Sequence, residues 1–536
     1  MFPQDVWDCI ITSKVAMNRL RRFVLHPFLF ALFPVLFVYS RNSAEIPFAQ
    51  VHRPAALLTG VTLVALLLLR LALRGWQRAG LLLTLGLVLF FSFGHVDGYL
   101  SDAMNAARLE RNWGLAALWL GLLALGTWWL GWKARRLGRL TWALNLAGLF
   151  LVGWNGIGAL GGLFSQPALW PAWREESPVV YHPLADELPR AGVVTSKPDI
   201  YYIILDGYAQ GSVLADIYGL DNGAFYDFLR ETGFIIAEDS HANYPQTILS
   251  LTSSLNFAYL EDLLSANPNQ YSRAPLMPLL NEPRLVRFLR GQGYRIVALE
   301  TGYESTDLRE ADIFVPSPLK LSPLENQLLS TSMARLALFE LQTEIHRREI
   351  IERFHAAADL ASLDGPKFVF IHLVVPHPPF VFDREGGPVL PDDLTIADGS
   401  HYSRPGAIYA ARYKEQLLYV NTLAEELLRN ILGRSATPPV ILLQADHGPG
   451  AYLDWESLEN TCLRERLSIL NAYYLPGAAV EIPPAITPVN SFRLVLDAYF
   501  DTRLGLLPDR SYFATWPRPF DDDDVTDRLD TCAPLD

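Results

Sequence analysis

Acidic and histidine side chains follow three hydrophobic runs of this 536-residue sequence. Asp206 comes directly after the first run, His377 comes two residues after the second, and Asp446 and His447 follow the third. The runs are DIYYIIL at 199–205, KFVFIHLVV at 367–375 and PVILLQ at 439–444. Aspartate and histidine are a ligand set for Mn²⁺ or Zn²⁺. A lone Asp-His-Gly sequence is usually a turn. Acidic or histidine residues at the ends of three strands in one domain, however, predict a metal centre.

The three runs must be brought together by the elements around them. Their β-branched and aromatic composition predicts buried strands, with a further strand at 294–299. Helical patterns lie between them, at 223–232, 282–292, 325–361 and 410–432. Alternating strands and helices predict a mostly parallel sheet covered by helices on both faces. Ligands of such sheets bind at the carboxyl ends of the strands, where the acids and histidines fall.

The first 165 residues have a different composition. They contain five apolar segments, at about 23–40, 55–73, 79–96, 113–132 and 140–164, each near the length that crosses a bilayer. Prolines interrupt the first segment, for which a signal peptide is the alternative. Residues 1–165 hold 15 Lys and Arg against 6 Asp and Glu, so their charge is +9. The remainder holds 29 against 51, or −22, and the net charge of the whole chain, −13, argues against nucleic-acid binding.

The distribution of Lys and Arg predicts the orientation. Eleven of the 15 lie at the N-terminus and in the second-to-third and fourth-to-fifth connections, and four lie in the other two connections. This asymmetry places the N-terminus in the cytoplasm and everything after the fifth span outside. Few acids lie in the spans, so an anchor is favoured over a transporter. We therefore predict a membrane domain at 1–165, a proline-rich linker at 166–198 and an extracytoplasmic domain at 199–536.

Four motifs in this order resemble the alkaline phosphatase/sulfatase superfamily. They are IILDG at 203–207, NYPQT at 243–247, HLVVPHPPF at 372–380 and QADHG at 444–448. With the membrane segments, the chain resembles the membrane-anchored branch that contains lipoteichoic acid synthases and phosphoethanolamine transferases. The resemblance implies an α-helical membrane domain of five transmembrane helices followed by an α/β alkaline-phosphatase-like domain.

The resemblance also implies roles for individual residues. Asp206, Asp446 and His447 would bind one divalent metal ion, Mn²⁺ or Zn²⁺ in preference to Ca²⁺ or Mg²⁺. Thr247 would be the nucleophile and touch the metal, and His377 would bind the transferred group or assist the leaving oxygen. The loop at 243–250 has no C/S-x-P-x-R motif, which argues against a sulfatase. No Asp-x-x-x-His pair for a second metal lies between Thr247 and Asp446.

Further residues are weaker candidates for substrate contacts. They are Glu300, Thr301 and Tyr303 after the strand at 294–299, and Arg464 and Arg466, which could bind phosphate. A solvated surface is the alternative for the two arginines, and His372, inside its strand, is expected to be a packed histidine. Cys462 and Cys532 lie on the outer side, where they either form a disulfide or stay reduced. The acidic run at 521–524 is expected to be a solvated tail.

Together these features predict a metal-dependent membrane enzyme. It would transfer or hydrolyse a phosphodiester-linked head group through a phosphothreonine intermediate. The donor would be a membrane lipid and the acceptor a glycan or lipid of the cell envelope. Two alternatives stay open: a sulfatase or phosphodiesterase that uses water, and an inactive, membrane-anchored binding domain.

Overall fold

The computed structural model describes most of the chain. The described residues are 23–43, 46, 48–104, 108–132, 137–164, 179–192, 194, 196–317, 321–391, 394, 396–402 and 404–532. The chain forms two compact units, of which the first comprises Met1–Trp170 and Leu321–Gln342. The second comprises Pro171–Lys320 and Thr343–Asp536. The predicted boundary at residue 165 lies outside the described residues and stays a prediction.

The first unit is helical. Its helices are α1 (His26–Arg41), α2 (His52–Leu73), α3 (Trp76–Met104), α4 (Arg108–Trp132), α5 (Leu137–Phe164), α12 (Pro323–Ser330) and the beginning of α13 (Arg335–Asp359). Helices α2 to α5 are long and apolar enough to cross a membrane, by length and composition. Helix α1 is apolar but shorter, at 16 residues. Five apolar helices therefore correspond to the five predicted segments.

The second unit contains a seven-stranded sheet of mostly parallel strands, as predicted. Its order is β3 (Ile235–Ile236), β9 (Asn471–Tyr474), β8 (Val440–Gln444), β2 (Ile200–Leu205), β7 (Lys367–Leu373), β5 (Arg295–Leu299) and β6 (Ile313–Val315). The pairs β3–β9 and β8–β9 are antiparallel and the other described pairs of this sheet are parallel, so β9 runs opposite to the other six strands. Short pairs form at β1 (Val180–Tyr181) with β4 (Leu264–Ser265), and at β10 (Tyr512–Ala514) with β11 (Asp522–Asp524).

Helices cover both faces of the sheet. They are α6 (Gly211–Asp216), α7 (Gly223–Glu231), α8 (Thr247–Asn256), α9 (Leu260–Leu263), α10 (Met277–Asn281), α11 (Arg284–Gly291), α13, α14 (Gly406–Arg434), α15 (Leu463–Leu467) and α16 (Pro488–Phe500). Strand β2 is buried along its whole length. Its alternate side chains enter two separate cores: Tyr201 and Ile203 face one, and Tyr202 and Ile204 face the other. This alternation explains why the strand is hydrophobic throughout.

Two sequence-based expectations need correction, and one question that the sequence left open has an answer. The helical stretch at 325–361 is two helices, because the chain turns at 331–334 between α12 and α13. The acidic run at 521–524 is exposed as expected, but residues 522–524 form β11 and pair with β10. Cys462 and Cys532, whose state the sequence left open, form a disulfide.

Candidate active site

The site lies where three adjacent strands end. Strand β2 is in the middle, with β7 on one side and β8 on the other, and all three are parallel. Asp206 directly follows β2, and Asp446 and His447 follow β8 two and three residues after its end. Thr247 is the first residue of α8. The sheet order therefore brings together side chains that are as many as 241 positions apart, counted from Asp206 to His447.

The ring of His447 has a defined orientation. Its Nδ1 lies 2.9 Å from the carbonyl oxygen of Gly448, which can only accept, so Nδ1 carries the proton. Burial and the nearby Arg466 lower the pKa of His447, which favours the neutral ring. The unprotonated Nε2 then points into the site. It accepts the hydroxyl hydrogen of Thr247 across 3.0 Å.

Two carboxylate oxygens converge on the same point as Nε2 of His447. Asp446 Oδ2 lies 3.2 Å from this nitrogen, and Asp206 Oδ1 lies 3.6 Å from it. Both oxygens are buried, and neither has a hydrogen-bond partner among the described residues. A buried carboxylate oxygen without a partner is costly unless a cation neutralises it. Two carboxylates, an imidazole and a hydroxyl are a donor set that fits Zn²⁺ or Mn²⁺.

His372 also belongs to the site, although the sequence gave it only a packing role. It is buried in β7, and its Nε2 lies 3.1 Å from Asp206 Oδ2. Its Nδ1 lies 3.0 Å from the hydroxyl of Thr306. Single ligand atoms of Asp206, His372 and Asp446 all lie within 4.8 Å of one another. The parallel register places His372 opposite Ile204, two residues before Asp206. The sequence does not reveal this register, so it did not assign His372 to the site.

Asp206 is held in its ionised form. Burial raises the pKa of its carboxyl group, but the nearby His377 and the hydrogen bond from His372 outweigh burial and lower the pKa below its ordinary value. Its backbone oxygen accepts from the backbone N–H of His377 across 3.1 Å. Gly207 has a φ of +73°, and a Cβ there would lie 3.7 Å from Cα of His377, so the two strand ends approach closely.

His377 borders the site from the β7 side. Its ring centroid is 6.2 Å from that of His447. Its Nδ1 donates to the carbonyl oxygen of Pro378 across 2.7 Å, so Nε2 is the nitrogen that can exchange a proton. This Nε2 lies 3.6 Å from Oδ2 of Asp398. Asp398 was not predicted, because it lies in an irregular segment with no strand-end signal.

Asp398 and Arg466 form a buried ion pair beside His377. Arg466 Nη1 lies 2.5 Å from Asp398 Oδ2, and the two side chains are 1% and 5% exposed. Burial raises the pKa of Asp398, but Arg466 more than compensates, so the pKa is lowered. Arg466 also donates to the carbonyl oxygens of Pro245 and Gly448, which precede Thr247 and follow His447. Arg466 therefore ties together the segment that carries Thr247 and the segment that carries Asp446 and His447.

The other predicted residues lie in different surroundings. Arg464 pairs with Asp216 across 2.5 Å, and neither side chain is buried. Glu300 accepts from the backbone N–H of Ser317 across 2.7 Å.

Thr301 reaches the site indirectly. Its hydroxyl lies 3.1 Å from that of Thr306, the residue that contacts His372. Thr301 also donates to the backbone oxygen of Tyr303, whose side chain is partly buried. Thr301 is therefore placed to support His372, with no direct contact to Asp206.

The N-terminus of α8 is positioned by a buried network. Gln246 precedes Thr247, and its side-chain oxygen accepts from Arg273 across 2.9 Å and 3.3 Å. Its side-chain amide donates to the backbone oxygens of Ala514 and Thr515. The first N–H groups of a helix lack partners within the helix and favour an anion. An anionic group bound beside Thr247 would meet these donors.

Comparison with known proteins gives matches only among solved structures. No protein-family model matches the chain, and no curated protein sequence matches it. The C-terminal periplasmic domain of EcEptC from Escherichia coli, in complex with Zn, matches at 14% identity over 64% of this chain and 98% of that one, with a TM-score of 0.42. The integral membrane protein lipooligosaccharide phosphoethanolamine transferase A from Neisseria meningitidis matches at 12% identity over 88% and 95%, with a TM-score of 0.39.

A third match is BT1596, a 2-O GAG sulfatase, at 13% identity over 61% of this chain and 74% of that one, with a TM-score of 0.37. Phosphoethanolamine transferases and a sulfatase are thus among the solved structures that match this chain. At 12–14% identity, the activity of none of them transfers to this chain.

Proposed function

We propose that this protein is a metal-dependent membrane enzyme that transfers a phosphodiester-linked head group through an ester of Thr247. The observation that carries the proposal is the convergence of Thr247 Oγ1, His447 Nε2 and two buried, unpartnered carboxylate oxygens at the start of a helix. A threonine hydroxyl is a weak nucleophile unless its alkoxide is stabilised. This donor set is suited to hold a divalent cation, which would supply that stabilisation.

One divalent cation would be held by Asp206, Asp446, His447 and Thr247, with His372 orienting or joining the ligands. When bound, the cation stabilises the threonine alkoxide and the charge on the phosphoryl oxygens. Mn²⁺ and Zn²⁺ fit the mixed oxygen and nitrogen donors better than Ca²⁺ or Mg²⁺, which prefer oxygen.

The reaction would have two displacements at phosphorus. In the first, Thr247 Oγ1 would give its proton to water and bond to phosphorus, while the bond from phosphorus to the lipid oxygen breaks and that oxygen takes a proton. In the second, an acceptor hydroxyl would bond to phosphorus and lose its proton, while the bond to Thr247 Oγ1 breaks and this oxygen takes a proton back from water. The N-terminal N–H groups of α8 would bind the phosphoryl oxygens and hold the attack in line.

His377 would supply the first proton and recover it in the second step. Its Nε2 is the exchangeable nitrogen, because Nδ1 is engaged by Pro378. Asp398, at 3.6 Å from Nε2, would keep the ring oriented toward the leaving oxygen. A positioned imidazole typically contributes a factor of about 10² to 10⁴ in rate.

A membrane lipid would be the donor, because the apolar helices would hold the α/β unit at a bilayer. The N-terminus would lie in the cytoplasm and the α/β unit outside, as the Lys and Arg distribution predicts. The Cys462–Cys532 disulfide supports this placement, since disulfides persist outside the cytoplasm. The acceptor would be a glycan or lipid of the cell envelope.

The test is mass spectrometry of the purified full-length protein after incubation with Mn²⁺ or Zn²⁺ and envelope lipids. We expect a covalent adduct on the peptide that contains Thr247, and no adduct in Thr247→Ala. Thr252→Ala is the matched control, because Thr252 lies on the same helix and its hydroxyl donates to the backbone of Ile248. It should keep the adduct.

The adduct mass identifies the transferred group. A mass of phosphoethanolamine or glycerophosphate supports a transferase, and release of that group to water alone would identify a phosphodiesterase. A sulfate adduct would identify a sulfatase. Absence of any adduct in protein that binds no metal would favour a binding domain and overturn the proposal.

A further inference from the structure

Residues 321–342 lie within the sequence of the α/β unit but belong structurally to the helical unit. They comprise α12, a turn at 331–334 and the first residues of α13. We propose that this segment, the re-entrant hairpin, inserts into the outer part of the membrane beside α3 and contacts lipid. The proposal rests on the transmembrane placement of α2 to α5 given above.

The start of the hairpin is fixed beside the connection between α1 and α2. Glu325 pairs with Arg53 across 3.2 Å, and the backbone N–H of Leu324 donates to Gln50 across 3.4 Å. Ser322 and Glu325 form a capping box that begins α12. By the Lys and Arg distribution, this connection lies on the outer side of the membrane. The polar end of α12 is therefore at the outer interface.

Helix α12 then buries apolar side chains among the membrane helices. Leu324 is fully buried and Leu328 is 6% exposed, and both pack in a cluster with Val35, Val38 and Tyr39 of α1. Eight residues of helix advance about 12 Å, at 1.5 Å per residue. The chain therefore arrives at its turn well beyond the polar end of α12.

The turn makes backbone hydrogen bonds to α3. Gly94 N–H donates to the carbonyl oxygen of Thr331 across 2.9 Å, and Met333 N–H donates to the carbonyl oxygen of Phe90 across 2.7 Å. The candidate span of α3 ends at Leu100. Phe90 and Gly94 precede it by 10 and 6 residues, so the turn lies about 9 to 15 Å inside the span. This depth agrees with the length of α12.

Irregular backbone at membrane depth is tolerated only where protein satisfies its polar groups. The turn meets this condition. Besides the two bonds to α3, the hydroxyls of Ser330, Thr331 and Ser332 donate to backbone oxygens of Gln327 and Leu329. These three hydroxyl groups therefore find their hydrogen-bond acceptors within the protein and need no water.

A buried ion pair closes the hairpin on the α13 side. Arg335 lies 3.3 Å from Asp97 of α3, and the two side chains are 10% and 1% exposed. Charges at such positions are kept only when they are paired. Farther along α13, Leu338 and Leu341 are 38% and 54% exposed, and both are apolar. These two side chains are the surface that we expect to contact outer-leaflet lipid.

Spin labels on the full-length protein in lipid vesicles test the proposal. Leu338→Cys and Leu341→Cys replace exposed side chains in a Cys9→Ser background, and collisions with oxygen and with a water-soluble nickel chelate are compared. Leu68→Cys on α2, 62% exposed, is the lipid control, and Ile408→Cys on α14, 40% exposed, is the water control. We expect an oxygen-to-nickel ratio at 338 and 341 that is clearly above that at 408 and close to that at 68.

The outcomes separate the two levels of inference. If label 68 reports lipid but labels 338 and 341 match label 408, the re-entrant hairpin is refuted and the membrane placement stands. If label 68 also matches label 408, the membrane placement itself fails.

A glycine pair tests the contact with α3 independently. A Cβ on Gly94 would lie 2.6 Å from backbone atoms of Thr331, whereas one on Gly86 of the same helix meets nothing within 4 Å. Alanine normally stabilises a helix relative to glycine. We therefore expect Gly86→Ala to leave the melting temperature unchanged or raise it, and Gly94→Ala to lower it by several degrees. Equal shifts in the two variants would contradict the close contact.

Discussion

Removing Asp398 should destabilise the α/β unit far more than removal of a surface charge. The Asp398→Ala variant leaves the guanidinium of Arg466 buried, with 1% of the side chain exposed. It also removes the acceptor for the hydroxyl of Tyr409, at 2.8 Å. Breaking a buried ion pair from one side costs about 3–5 kcal/mol, because the remaining charge is left without compensation.

The structure also predicts how this loss depends on Arg466. In the double variant Asp398→Ala/Arg466→Met, neither charge of the pair is left buried without its partner, so the loss should be smaller than the sum of the two single losses by at least about 2 kcal/mol. The surface pair Arg384–Glu415 gives the matched control, since its side chains are 55% and 35% exposed. Glu415→Ala should cost less than about 1 kcal/mol.

The assay is thermal unfolding of the detergent-solubilised full-length protein, with all variants measured at one protein concentration. The expected order of melting temperatures is wild type and Glu415→Ala highest, the double variant intermediate, and Asp398→Ala lowest. Additive losses in the double variant would refute the reasoning, because Asp398 and Arg466 would then act independently.

Three further predictions follow from the same site and unit. Cys462→Ser/Cys532→Ser should lower the free energy of unfolding by about 4 kcal/mol, since the bridge spans 70 residues, and melting under reducing conditions should show the same loss in wild type only. Burial raises the pKa of Glu465 from the ordinary 4.5 to about 8 in the folded protein. Protonation of Glu465 therefore contributes fully to the unfolding free energy below about pH 4.5, and this contribution is lost as the pH rises to 8. Glu465→Gln should therefore flatten the pH dependence of the unfolding free energy in this window, and an unchanged slope would contradict the shift. His372→Gln should weaken metal binding about 10- to 100-fold in a chelator competition, because His372 orients Asp206, and an unchanged affinity would exclude that role.

The fold and the centre of the site could be predicted because local signals agree there. Strand β2 is hydrophobic at each of its positions and is followed by Asp206, and β8 has the same form ahead of Asp446 and His447. Parallel strands leave their carboxyl ends at one edge, so the sequence alone places these residues near one another.

The other residues of the site and the break between α12 and α13 depend on strand register and on irregular backbone, which the sequence pattern does not reveal. His372 contacts Asp206 only because β7 pairs with β2 in a register that sets His372 opposite Ile204. Asp398 reaches His377 from a segment without a periodic pattern. The break between α12 and α13 falls in a stretch of helical composition, where only the polar run Ser330, Thr331 and Ser332 indicates a turn.

The discontinuity of the helical unit has a consequence for synthesis of the chain. The 150 residues from Pro171 to Lys320 lie between its two parts. At about 5–20 residues per second, the ribosome needs roughly 8 to 30 seconds to make them. During this interval Thr331 does not yet cover the surface of α3 at Gly94, and the cluster around Val35 is incomplete. A nascent chain thus has a period in which its long apolar helices are complete in sequence but their packing is incomplete, and this is when a chaperone or an insertase would have most to protect.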